Sequence, residues 1–135
     1  MAVATTGLQC KIGDQVRRLL LTNSEIERFE VQYAPMGIFQ LFDQLFGRGP
    51  PPQARHVRDI VALGLIGGGM GDVTADALLA GLPPSENMAL RVAAQLLLGA
   101  AFMPDIAKAK KKRGGSVGES RESDQTVDTT PAPGS

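Results

Sequence analysis

The side chains that could do chemistry are few. The only histidine is His56 and the only cysteine is Cys10. A nucleophile–base pair would need Cys10 or a serine beside His56, and a structural metal would need clustered ligands at CxxC or HxxxH spacing, which is absent. His56 stands with Arg55, Arg58 and Asp59 on the polar side of an amphipathic stretch, so a solvated imidazole is expected. Glu27 with Glu30, and Asp72 with Asp76, are the nearest thing to acid–base carboxylate pairs. Their spacing is that of ordinary helix-surface or capping acids.

The Gly67-Gly68-Gly69-Met70-Gly71-Asp72 run invites a phosphate-loop reading, but its spacing fails. The final glycine of a dinucleotide fingerprint would fall on Asp72 or Thr74, no Gly-Lys-Ser/Thr follows, and a helical stretch rather than a strand precedes it. A flexible helix–helix link with left-handed residues is expected instead. No catalytic residue, cofactor or metal follows from these side chains, and the chain reads as a non-enzyme.

The elements that would position any site are mainly helical. An α+β fold of mainly α class is predicted: a short N-terminal β-hairpin, a bundle of about five helices and a disordered C-terminal tail. Residues 1–7 form a flexible N-terminus, 8–107 the helical domain, and 108–135 the tail, first basic and then acidic. Leu8–Ile12 and Val16–Thr22 are β-like around Gly13-Asp14, a tight-turn pair. Thr22 with Glu25 makes a capping box for a helix running to Tyr33, and Pro35 opens the next. In Met36–Phe46, Ile38, Phe39, Leu41, Phe42, Leu45 and Phe46 share a face about 160° wide. Gly47-Arg48-Gly49 and three prolines stop it. Gln53–Gly67 is amphipathic in its first half and apolar all round from Ala62 to Ile66. Val73–Ala80 follows, capped by Asp72 or Thr74. Ser85 caps a last helix from Glu86 to about Ala107. That helix carries Met88, Val92, Leu96 and Met103 on one face and Leu90, Ala94, Leu97 and Ala101 on another. Pro104 ends or kinks it.

Equal numbers of basic and acidic residues, 14 each, leave no net charge. The local pattern is uneven: Lys108, Lys110, Lys111, Lys112 and Arg113 form a basic run, and acids dominate after it. The run has no interleaved aromatic for base stacking, so a solvated helix end leading into a tail is the stronger reading and electrostatic contact with an acidic partner or nucleic acid the weaker. The N-terminus lacks a basic start followed by an apolar run, and the longest apolar stretches are too short or too interrupted to span a bilayer. A cytoplasmic protein without a membrane segment is expected.

The apolar supply of the second and last helices exceeds what a domain of this size needs. Phe39, Phe42, Phe46, Leu98 and Phe102 are therefore candidate partner-binding residues, with Lys108, Lys110, Lys111, Lys112 and Arg113 as an electrostatic complement. Phe39, Phe46, Leu98 and Phe102 are the ones expected to face solvent. A homo-oligomer is an alternative use of the same surplus.

The order of elements resembles the tail assembly chaperone family of gene transfer agents and long-tailed phages. The likeness is carried by Glu25-Ile26-Glu27-Arg28-Phe29-Glu30, by Gly37-Ile38-Phe39-Gln40-Leu41-Phe42, and above all by Asp59–Gly69 within Val57-Arg58-Asp59-Ile60-Val61-Ala62-Leu63-Gly64-Leu65-Ile66-Gly67-Gly68-Gly69. It spans residues 8–107 and departs from the family pattern at Pro50-Pro51-Pro52 and in the polar tail. The resemblance implies a non-enzymatic chaperone that binds the tape measure protein and the tail tube subunit in the cytoplasm of a bacterial host and is absent from mature particles. The alternatives are a structural part of the tail tube or head–tail junction and a small nucleic-acid-binding regulator.

Overall fold

β1 (Leu8–Ile12) and β2 (Gln15–Leu19) form an antiparallel hairpin in the computed structural model, which describes residues 7–105. Leu8 stands opposite Leu19 and Ile12 opposite Gln15, which leaves Gly13-Asp14 as a two-residue turn. Gly13 has a φ of +69°, a region open to glycine because it has no Cβ. The pleat turns Ile12 and Leu19 into the core and Gln9, Lys11 and Arg18 outward. The second strand ends at Leu19, short of the predicted Thr22. The Leu20 N–H leaves the hairpin and donates to the Gly64 carbonyl at 2.9 Å, so the chain here pairs with a helix end instead of a strand.

Five helices follow among the described residues: α1 (Asn23–Tyr33), α2 (Ile38–Leu45), α3 (Ala54–Gly67), α4 (Asp72–Ala80) and α5 (Asn87–Phe102). Thr22 caps α1, and the Glu25 carboxylate accepts from the Thr22 backbone N–H at 2.7 Å and its hydroxyl at 2.6 Å, closing the predicted capping box. Pro35 does not open α2; it lies in the connection. The helix starts later because the Glu30 carboxylate reaches across from α1 and accepts from the Ile38 N–H at 2.9 Å, meeting one of the orphan donors of that terminus. Gly71 rather than Asp72 or Thr74 caps α4. Ser85 lies inside a 3₁₀ turn, Pro84–Glu86, and Glu86 takes the cap position of α5. That helix stops at Phe102, before Pro104, which has no N–H to continue the ladder. The rest of the range predicted for it, residues 106–107, lies outside the described residues, as does the predicted tail from 108.

The apolar α3 is the centre of the bundle. Val57, Ile60, Val61, Ala62, Leu63 and Leu65 are all buried, against Phe29 of α1, Leu79 of α4 and Leu90, Leu97 and Leu98 of α5 in one continuous core. The Arg58 guanidinium ties the layers together. It donates to Asn87 Oδ1 at 2.8 Å and to the Leu79 carbonyl, joining the end of α4 to the start of α5.

The glycine-rich end of α3 joins it to α4 as expected, and it is also a packing device. A Cβ on Gly64 would stand 2.6 Å from Leu97 Cδ2, on Gly67 1.9 Å from the Leu20 carbonyl oxygen, and on Gly68 2.2 Å from that of Arg18. The hairpin and α5 can come this close only because those positions carry no side chain. Of the three consecutive glycines, Gly69 alone takes a positive φ, +117°. Among the described residues, no helix is long and apolar enough to cross a membrane.

Candidate functional site

The wide apolar face predicted for α2 resolves into two parallel lines. Ile38, Leu41 and Leu45 point into the core and are buried. Phe39, Phe42 and Phe46 follow the adjacent line, one ring per turn, and face α5 and solvent. Phe39 is 67% exposed, while Phe42 and Phe46 are half-buried. The helix thus uses one line to fold and presents the other.

The last helix divides in the same way. Leu90, Ala93, Ala94, Leu97 and Leu98 are buried. Met88, Val92 and Leu96, at i, i+4 and i+8, are 68%, 52% and 50% exposed. Towards its C-terminal end this line meets the phenylalanines. The Phe102 ring lies 5.3 Å from that of Phe39 and 5.8 Å, edge to face, from that of Phe42. Phe42 and Phe46 stack obliquely at 4.6 Å. Gly99 lies under Phe46, whose Cζ would be 3.7 Å from a Cβ there. Gln95 fastens the two helices by donating to the Leu45 carbonyl at 3.2 Å. The Arg48 guanidinium sits 5.7 Å over the Phe42 ring and pairs with Asp43 at 3.4 Å.

The structure therefore brings Phe39, Phe42, Phe46 and Phe102 together on one surface. Leu98 does not belong to it: at 0% exposure it points to the core beside Leu97 and Leu90, which corrects its assignment as a solvent-facing residue. On a helix with two apolar lines, Leu98 falls on the inner one. Phe46 and Phe102 are half-buried because they pack on each other's helices. The exposed line of Met88, Val92 and Leu96 is signalled in the sequence by its i, i+4, i+8 recurrence opposite a second apolar line. Lys108, Lys110, Lys111, Lys112 and Arg113 lie outside the described residues.

His56 is the second correction. It is 5% exposed, not solvated. It lies on the first turn of α3, where Tyr33 packs edge-on at 4.5 Å and Phe29 at 6.1 Å. Burial, assisted by the Arg55 charge, pushes its pKa below the ordinary imidazole value. Tyr33 donates its phenolic proton to Asp59, which also accepts from Gln32 at 3.1 Å, and the Arg55 guanidinium lies 5.4 Å over the Tyr33 ring. Burial first, then the hydrogen bond and charge of Asp59, push the Tyr33 phenol up to about 12. The cluster holds α1 against α3 with a neutral imidazole and a neutral phenol. It presents no nucleophile: Cys10 sits half-buried on the hairpin, where burial raises its thiol pKa.

Two of the four carboxylate candidates have structural partners. Glu30 caps α2, and Asp72 pairs with Arg28 at 3.3 Å on the surface. The N–H groups of Gly68, Gly69 and Met70 all bond back to carbonyls of α3, so these three donors are already engaged and do not form a phosphate cradle. No group of three metal-binding side chains occurs among the described residues.

A family model described as phage tail tube protein, GTA-gp10, matches residues 6–103. Searches of curated proteins and of solved structures found no match.

Proposed function

The chain belongs to the phage tail tube protein, GTA-gp10, family, and from that premise we propose that it is a tail assembly chaperone. In this reading it binds the tape measure protein and tail tube subunits in the host cytoplasm while the tail is built, and leaves before the particle is complete. It performs no covalent chemistry. One observation carries the reading: a filled core coexists with Phe39, Met88, Val92 and Leu96 left uncovered on one side of the bundle. Large apolar side chains gathered on one face are the ordinary mark of a surface that another polypeptide covers. A chaperone for apolar helices needs such a face open before its client arrives and free again afterwards.

The family description favours a second reading, in which the chain is itself a part of the tail tube. The two differ in where the protein ends up. Mass spectrometry of purified particles and of the producing cells separates them. A chaperone is abundant in cell extracts, recovered with the tape measure protein, and absent from particles. Recovery from particles at many copies per tail would replace the chaperone reading with the structural one.

A further inference from the structure

We propose that the surface between α2 and α5 seats a single amphipathic helix of the partner, laid along α5 over about four turns and docking through an uncharged face. The inference rests on the chaperone reading and names the occupant of its surface.

The line of contact is drawn by α5. Met88, Val92, Leu96, Gly99 and Met103 recur at steps of four, four, three and four, the path that a second helix follows at a shallow crossing angle. From Met88 to Met103 this path is about 22 Å long at 1.5 Å per residue. Gly99 makes a dip in it, and the Phe46, Phe42 and Phe39 rings rise along one side as a wall. A partner helix would meet this groove with apolar residues at i, i+3 or i+4, and i+7.

Three features select that occupant. Backbone N–H and C=O groups along α2 and α5 are paired within their own helices, so an extended strand laid here would leave its own backbone bonds unmet. Charge is nearly absent: between Met88 and Met103 the only ionic side chain is Arg91, half-buried, and on the α2 side Asp43 and Arg48 satisfy each other. Among the described residues, an acidic or basic polypeptide finds no complement on this face. The exposed apolar surface is on the order of 500 Å², less than the roughly 800 Å² per partner that a stable dimer buries, so a second copy of this chain is a poor match and one helix a good one.

The test uses the full chain and labelled 20-residue peptides tiling the tape measure protein, with binding read by fluorescence anisotropy at low and high salt. Val92→Asp and Leu96→Asp change the groove; Val73→Asp, at an exposed position on α4, is the control. Circular dichroism checks that each variant is folded, and Phe39→Ala tests the phenylalanine wall with a substitution that adds no charge. At least one helix-forming peptide is expected to bind, to weaken about tenfold or more with either groove variant, and to respond little to the control or to salt. Binding that the groove variants leave intact overturns the inference while the chaperone reading stands. Failure of both the peptides and the intact tape measure protein to bind the wild-type chain removes the chaperone reading and the inference with it. A dimer in sedimentation that the groove variants dissociate gives the surface to a second copy and also overturns the inference.

Discussion

Phe39→Ala separates the surface role of α2 from its folding role. Two thirds of the Phe39 side chain is outside the fold, on the order of 130 Å² of a ring that offers about 200 Å². Covering that area with a partner is worth at most about 3 kcal/mol at roughly 25 cal/mol per Å². Incomplete coverage lowers the figure, so a loss of about 1.5–3 kcal/mol is expected, or about 10- to 150-fold in Kd. The fold itself loses little. The ring's main internal contact is with Phe102 at 5.3 Å, and an aromatic pair contributes about 0.5–1.5 kcal/mol. For a domain of this size that is a Tm change of a few degrees. Leu98→Ala is the opposite case: it removes a fully buried side chain and should cost about 2–5 kcal/mol and lower Tm by about 8 °C or more, at about 4–8 °C per kcal/mol. Calorimetric titration with the tape measure protein, run beside thermal melts, reads both quantities. A Phe39→Ala protein that binds as tightly as wild type with an unchanged melt would refute the assignment of this side chain to the partner surface.

Gly67→Ala should cost about 3 kcal/mol or more, because its Cβ would meet the Leu20 carbonyl at 1.9 Å; Gly47→Ala, strained by its φ of +84° but facing open space, should cost only about 1 kcal/mol, and denaturant melts compare the two. Tyr33 is the only tyrosine, so ultraviolet absorbance follows its ionisation directly: the midpoint should lie near 12 in the folded protein and fall towards 10 in Asp59→Asn. Because that pKa is raised by folding, its contribution to stability is complete below pH 10 and is lost as pH rises through about 12. His56 has the reverse sign: its pKa is lowered by folding, so the unfolded chain takes up the proton first, and stability should fall as pH drops below about 6.5. His56→Leu should flatten that slope in melts taken at stepwise lower pH, and an equal slope in the variant would assign the acid sensitivity to other groups.

Strong local signals made the architecture legible. Gly13-Asp14 fixed the hairpin turn, Thr22 with Glu25 the start of α1, and the Pro and Gly clusters the helix ends, because each acts within a few residues of itself. What stayed hidden depends on contacts across the chain. His56 looks polar on a helical wheel of α3, yet α1 lays Phe29 and Tyr33 over it. Leu98 and Leu96 look alike in sequence, and only the packing of α5 on α3 decides that one is buried and the other half-exposed. The glycine run was readable as a break but not as a close approach, since its neighbours Arg18 and Leu20 lie far back in the chain. Glu30 was readable as a surface acid but not as the cap of the following helix. Of the candidate surface, the phenylalanines of α2 were visible from their spacing. The Met88, Val92 and Leu96 line gained meaning only once its other apolar line was seen to be spent on the core.

Hydroxyl-radical footprinting of the chain, alone and in complex with the tape measure protein, tests the central claim most directly. Met88 and Phe39 are reactive side chains on the surface assigned to the partner, while Val31 is as exposed on α1 and serves as the reference. The account predicts that oxidation of Met88 and Phe39 falls several-fold in the complex while that of Val31 holds. A stable complex in which Met88 and Phe39 oxidise as fast as in the free chain would contradict it.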